Sequence, residues 1–441
     1  MTPHVSDEQR RARLVARHRL APHTRTDDVV TIADDVVALH STDPVTVYLS
    51  ATARMAEPDR TAVETALYTD RTLLRHHAMR RTLWVFGHRH AALAHHAATT
   101  GVAAVQRRAL LSQLGGTGIA DPEAWYAEAS ARVLDVLTGR GPTTAREVGA
   151  ALPDLAGLTL TIQVGTQPAH TRVLLVLGFE GRVLRARPTG TWINGQYRWA
   201  AADDWVPGGI GAPPPASGAP GSGEPGSGEP GSGKPGSGEA RAGGPEARGP
   251  GAGGAPGRAR NGGADRGAAA GLARAYLRAF GPATRDDLKW WAGWTVATTR
   301  AALADVGAVE VTLDGTGTGF LLPDDLDPVP DPGPSVALLP GLDPATMGWK
   351  ARDWYLDPEH ARLLFDRNGN GGPAIWVDGR IAGTWVQRRD GGIATRLFTD
   401  VGPAARAGVE AAAERHRAVL GDARFSVRYP APVQAELLAE P

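Results

Sequence analysis

Within VVALHSTDPVTVYLSATAR, residues 36–54, two apolar runs are interrupted by His40, Ser41, Thr42, Asp43 and Pro44. An imidazole, two hydroxyls and a carboxylate at consecutive positions can take up a proton, hold a water and carry negative charge, which are the needs of general acid-base chemistry. The same residues also have a purely architectural reading. Asp43 before Pro44 reads as an N-cap followed by proline at the first helical position, Thr42 can cap too, and a histidine ending a helix suits the negative end of its dipole. The turn is therefore a capped junction between two helices, or a junction that also carries chemistry.

Other residue types widen or narrow the choice. His76-His77, His88, His90 and His95-His96 invite a metal reading, but their spacing fits no familiar zinc pattern and the chain has no cysteine, so neither metal nor cofactor is expected. Lys plus Arg equals Asp plus Glu at 47 each, and only the distribution of charge is informative. Five arginines fall within residues 10–19, a second basic run holds Arg71, Arg75, Arg80, Arg81 and Arg89, and a third holds Arg182, Arg185, Arg187 and Arg198 without an acid. Solvated arginine on a surface explains any one such run; three of them favour a polyanion as partner. Arg182, Arg185 and Arg187, the last two on one strand face, are expected at phosphates or a minor groove, with Arg80 and Arg81 in a similar role. Arg54 of the Ala53-Arg54 pair, Arg172 and Arg300 complete the expected DNA contacts. Trp290, Trp291 and Trp294 cluster near a helix end and are expected in the core rather than stacked on bases.

These residues need elements to position them, and 441 residues is enough for several units. Residues 206–270, with the near-perfect repeat GSGEPGSGEPGSGKPGSGEA, lack the apolar surface to offset the entropy of ordering, so they read as a disordered linker dispensable for DNA affinity. On either side stand GPTTAREVGAAL and GPATRDDLKWWAG, each after an amphipathic helix. Thr144 with Glu147 and Thr284 with Asp287 have capping-box spacing. Each copy continues to a second helix with a Thr-Arg pair, Thr171-Arg172 and Thr299-Arg300, and then to a hairpin. Helix, turn, helix, helix, hairpin is the order of a winged helix, and two copies support each other. The first hundred residues read the same way, with helices over 6–19, 26–39, 44–55 and 60–68 followed by two strands. Residues 346–400 alternate apolar and polar residues around Asp378-Gly379 and Asp390-Gly391, which predicts a small antiparallel sheet or barrel, and a helix closes the chain. The absence of cysteine, of a signal-peptide pattern at the N-terminus and of any run near the ~20 apolar residues of a membrane span points to a soluble, cytoplasmic protein.

LHSTDPVTVYLSATARM, LLRHHAMRRTLWVF, TRVLLVLGFEGRVLRARPTGTWINGQYRWA, YLRAFGPATRDDLKWWAGWT, LLPGLDPATMGWKARDWYL and VDGRIAGTWVQR together resemble, in the same order, the winged-helix DNA-binding family of the AlkZ and YcaQ DNA glycosylases. The resemblance implies an α+β chain of three tandem winged-helix units plus a small C-terminal antiparallel β-barrel. In this sequence those units are residues 1–105 with the catalytic motif, 106–205, 271–345 after the linker 206–270, and 346–441. It further implies excision of bulky N7-alkylated purines and unhooking of interstrand crosslinks, with alkylated or crosslinked double-stranded DNA as partner. A monomer is expected. The family's signature is Gln-x-Gln or Gln-x-Asp, often followed by Asp-Pro; here His40 and Thr42 occupy the two catalytic positions and Asp43-Pro44 follows. By that resemblance His40 accepts a proton from the attacking water or orients it, Thr42 supplies a second hydrogen bond, and Asp43 offsets charge on the sugar. Replacement of both family residues keeps a second reading open, a DNA-binding protein that retained the fold without the chemistry, and a third is a winged-helix protein–protein scaffold.

Overall fold

The structure is a computed structural model and describes residues 2–163, 165–212, 264–315, 317–427 and 430–439. The chain opens with β1 (His4–Val5) and α1 (Asp7–Arg17), where Ser6 accepts from the Gln9 amide as N-cap. The arginines of this region face inward, contrary to the expectation of a polyanion-binding run. Arg13 and Arg17 both reach Asp325, Arg19 pairs with Asp35, and Arg10 lies 4.2 Å over the Trp354 ring. α2 (Val29–Asp35) is capped by Asp28 and stops short of the helix expected over 26–39. Val37 takes a positive φ of 65°, and the chain then forms β2 (Leu39–His40). His40 therefore sits in a strand and not at a helix C-terminus. The left-handed Val37 ends the helix, and the open edge of the strand Leu83–Gly87 supplies the hydrogen bonds a helix would have given.

α3 (Pro44–Thr52) follows directly and is buried along its whole length. α4 (Arg60–Glu64) passes through a π-helical turn, Thr65–Thr69, to β3 (Leu73–His77) and β4 (Leu83–Gly87). These strands make an antiparallel sheet in the order β2-β4-β3, with His40 opposite Trp84 and Arg75 opposite Val85.

α5 (His88–Ala94), α6 (Thr100–Gly115) and α7 (Pro122–Arg140) lead to α8 (Ala145–Ala151), which begins with the Thr144/Glu147 capping box. After α9 (Pro153–Gly157), the short ribbon β5 (Thr159–Thr161) and β6 (Thr166–Pro168) precedes α10 (Ala169–Phe179). The hairpin β7 (Val183–Pro188) and β8 (Tyr197–Ala201) and the turn of helix α11 (Ala202–Trp205) follow. Leu110, Val133, Leu137, Val148, Val173 and Trp199 belong to a separate core under these helices.

The ends of the expected linker are ordered: Val206 and Ile210 are buried, and α12 (Arg266–Phe280) begins inside it. Helix-favouring RGAAAGLARAYLRAF explains the early start, since Ala268, Ala269 and Ala270 face the core. The rest of that segment, 213–263, lies outside the described residues. α13 (Arg285–Ala292) opens with the Thr284/Asp287 capping box, and α14 (Val296–Asp305) leads to the hairpin β9 (Val309–Leu313) and β10 (Gly317–Leu321). β1 adds to β9 in parallel, so the first residues of the chain complete this sheet.

The last region is an open antiparallel sheet of β11 (Val336–Leu339), β12 (Ala374–Val377), β13 (Arg380–Gln387) and β14 (Ile393–Leu397), in sequence order. Among the described residues no closed barrel forms, which corrects the barrel expectation. The sheet keeps two edges because helices bury it instead: α17 (Gly402–Leu420) packs on β11 and α18 (Pro432–Ala439) on β13, while α15 (Pro344–Met347) and α16 (Pro358–Leu364) lie between β11 and β12 in sequence. The whole is a mixed α+β fold of helices and several small sheets. No helix among the described residues is long and apolar enough to cross a membrane.

Candidate active site

His40 is 7% exposed at the edge of the β2-β4-β3 sheet, its ring edge-on to Trp84 at 4.7 Å. The Ser41 amide extends the strand pairing by donating to Leu83 O at 2.8 Å, and this fixes the backbone just after the imidazole. The Thr42 amide donates to His40 Nδ1 at 3.4 Å. A ring that accepts at Nδ1 carries its proton on Nε2. Burial, helped by the charge of Arg80, lowers the His40 pKa to about 3, so the ring is neutral at physiological pH. A neutral imidazole with one donor and one acceptor has the hydrogen-bonding character of a glutamine amide.

Thr42 and Asp43 are half-buried. Asp43 has the extended backbone of an N-cap, φ −102° and ψ 118°, but its carboxylate accepts no hydrogen bond from the first turn of α3. Capping thus does not account for its side chain. Pro44 at the first helical position starts the helix instead.

Two features flank this turn. Arg75 donates from Nε to Ser41 Oγ at 2.7 Å and from Nη1 to Tyr68 Oη at 2.5 Å. The β3–β4 turn holds Arg80 and Arg81 in succession with φ of 56° and 63°. Both are exposed, and the Arg80 guanidinium lies 4.2 Å over Trp290, a ring it shares with Arg352 at 5.3 Å.

Residues 33–419 match the family described as DNA glycosylase AlkZ-like. The chain belongs to the AlkZ-like DNA glycosylase family. As a family member it is a DNA glycosylase, a hydrolase of N-glycosidic bonds in the repair of alkylation and crosslink damage. Its fold is similar to that of the Streptomyces sahachiroi DNA glycosylase AlkZ, with a TM-score of 0.66 at 20% identity, covering 96% of this chain and 99% of that one. No curated protein matches the sequence.

Against the family frame, the expected DNA-contacting arginines separate by burial. Arg81, Arg182 and Arg300 are exposed, while Arg187 is exposed but engaged, 2.9 Å from Glu64 and stacked on Tyr68 at 4.6 Å. Arg185 is half-buried over the Trp199 ring at 3.3 Å, and Arg198 lies 3.6 Å from Glu147. Arg54 and Arg172 do not fit the expectation. Arg54 is fully buried, paired bidentately with Asp343 at 2.7 and 2.8 Å, and also donates to Ser50 O and His18 O. Its charge ties α3 to α15, so it is not presented to a duplex. Arg172 is buried on α10. Helix periodicity turns Arg172 inward, and the carboxylate of Asp343 draws in Arg54 from the turn after α3; an isolated Thr-Arg or Ala-Arg pair reveals neither.

The other clusters are structural. Trp291 and Trp294 are core residues as expected, Trp294 donating to Ala97 O at 2.9 Å, whereas Trp290 is half-buried under Arg80 and Arg352. His76 Nε2 and His95 Nδ1 are 3.2 Å apart inside the protein, and His77 stacks on Trp199. Among the described residues, no three His, Cys, Asp or Glu side chains come together as a metal site. Arg352 was not a candidate from the sequence, since nothing near it marks a partner 62 positions away at Trp290.

Proposed function

We propose that this family member excises bulky N7-alkylated purines, including one end of an interstrand crosslink, from double-stranded DNA, with His40, Thr42 and Asp43 at the reacting centre. The observation that carries the reading is the state of His40: neutral, held by the Thr42 amide, and located where the family motif has its first glutamine. A purine alkylated at N7 already bears positive charge and leaves readily. The enzyme then has to orient a water at C1′ and stabilise oxocarbenium character on the sugar. A histidine held near pKa 3 is a weak base, so its part is to orient the water through a hydrogen bond, as a glutamine would, while the carboxylate of Asp43 offsets the sugar's charge and Thr42 adds a second hydrogen bond.

The duplex is gripped by three winged-helix units, residues 1–105, 106–205 and 271–345, with 346–441 as a fourth unit whose sheet takes its first strand, β11, from the end of the third range. Arg81, Arg182, Arg187, Arg198 and Arg300 supply phosphate contacts, and Arg80 and Arg185 border them. The protein acts as a cytoplasmic monomer. Incubation with a duplex carrying one bulky N7-guanine adduct is expected to release the free modified base and leave an alkali-labile abasic site. Salt-sensitive binding without base release, from a motif that lacks both glutamines, would instead establish a DNA-binding protein without the chemistry.

A further inference from the structure

Beneath Ser41 lies a guanidinium that packing alone does not explain. Arg75 is 2% exposed in the middle of β3, and among the described residues it forms no ion pair with a carboxylate. Its partners are a hydroxyl on each side, Ser41 Oγ and Tyr68 Oη, and the face of Tyr197 at 4.4 Å. Nη2 is buried without a hydrogen bond, as are the hydroxyls of Tyr48 and Tyr197 nearby. An uncompensated buried charge is costly, and an apolar side chain of similar volume is commonly neutral or stabilising in its place. A costly group touching the centre of the motif calls for a reason other than stability.

We propose that Arg75 is a positioning residue for the glycosylase reaction, fixing the His40–Asp43 turn through Ser41. Ser41 is held at two points, its amide on Leu83 O and its hydroxyl on Arg75 Nε. The residues before and after it are the two motif positions. Rotation of Ser41 therefore moves His40 and Thr42 together and breaks the Thr42 amide bond to His40 Nδ1 that selects the Nε2–H tautomer. Tyr68 anchors the far end of the guanidinium, and Tyr197 belongs to β8, so the same group registers the turn against the basic hairpin β7–β8. This inference rests on the proposed role of His40.

The test is Arg75→Met with Ser41→Ala as a second route to the same contact, compared with the native protein and His40→Ala. Single-turnover excision of one bulky N7-guanine adduct is expected to fall at least about tenfold in each variant, with the DNA concentration for half-maximal rate within about twofold of native. The double variant should lose no more than either single one. Thermal stability of Arg75→Met should be unchanged or higher, and selectively 15N-labelled histidine should show the His40 ring passing from one neutral tautomer to a mixture. An unaltered tautomer and rate overturn the proposal, as does a loss of rate that tracks a loss of melting temperature, or additive losses in the double variant. Should the native protein excise nothing, the proposed chemistry fails while the tautomer spectrum still decides the positioning claim.

Discussion

The β3–β4 turn gives a prediction in which stability and DNA affinity move in opposite directions. Met79, Arg80 and Arg81 connect the strands under the Ala78 N to Thr82 O bond of 2.9 Å, and two consecutive non-glycine residues sit in the left-handed region. Each such residue costs roughly 1–2 kcal/mol relative to ordinary backbone. Arg81 is exposed and, among the described residues, has no ion pair in return. Arg81→Gly removes the strain, while the greater freedom of glycine in the unfolded chain offsets about 0.5–1 kcal/mol of the gain. The net is a stabilisation of about 0.5–1 kcal/mol, or about 0.5–1.5 °C in a melting curve for a chain of this size. Loss of one phosphate contact lowers the slope of log affinity against log salt by about 0.9, which corresponds to about eightfold weaker binding at about 0.1 M salt. Differential scanning fluorimetry and fluorescence anisotropy on an undamaged duplex at several salt concentrations measure both. An unchanged salt slope would remove Arg81 from the DNA interface, and a lowered melting temperature would refute the strain reasoning.

Other outcomes follow from the buried charges. Burial lowers His18 and His40 to about pKa 3 and His95 and His416 to about 4, and holds His76 and His77 well below their usual value. Below about pH 6.5 the unfolded chain binds more protons than the folded one, so this stability is fully present above that pH and is lost as pH falls toward 4, by up to about 1.4 kcal/mol per pH unit for each histidine. Urea midpoints that do not move between about pH 7.5 and 5.5 would contradict it. The excision rate should show no titration of His40 between about pH 5 and 8, because the ring stays neutral throughout; a rate that falls with an apparent pKa near 6.5 would assign it ordinary histidine basicity. Asp343→Ala should destabilise by about 3–5 kcal/mol, since it strands the fully buried Arg54 guanidinium and also removes the cap of α15; a change below about 1 kcal/mol in the urea curve would show that the charge finds another partner.

What was legible in the sequence follows from which signals are local. Thr144/Glu147 and Thr284/Asp287 form reciprocal capping boxes because the spacing alone dictates the contact, and the helix, helix, helix, hairpin order appears after 213–263, whereas before it α9 and the β5–β6 ribbon intervene between α8 and α10. His40 stands out in the sequence as a candidate, but its strand does not. Four apolar residues ahead of it continued a helical pattern, and only the partner strand β4, more than 40 positions later, turns them into an edge strand. The arginines illustrate the same limit. Basic runs 10–19 and 71–81 look alike as text, yet Asp325 and Trp354 draw the first inward, while the second divides, Arg75 buried in β3 and Arg80 and Arg81 turned out at a turn of positive φ. The barrel was expected from alternation, which reports one buried face but not closure; α17 and α18 cover the sheet whose edges alternation left undecided.

The central claim is that a neutral histidine does the work of the family's glutamine. Its most direct test is single-turnover excision of one bulky N7-guanine adduct from duplex DNA by the native protein, His40→Ala and His40→Gln, with affinity for the same duplex measured in parallel. Excision that His40→Ala abolishes and His40→Gln retains, at unchanged affinity, is the predicted result. Excision undiminished in His40→Ala would contradict the claim and move the reacting centre away from the His40–Asp43 turn.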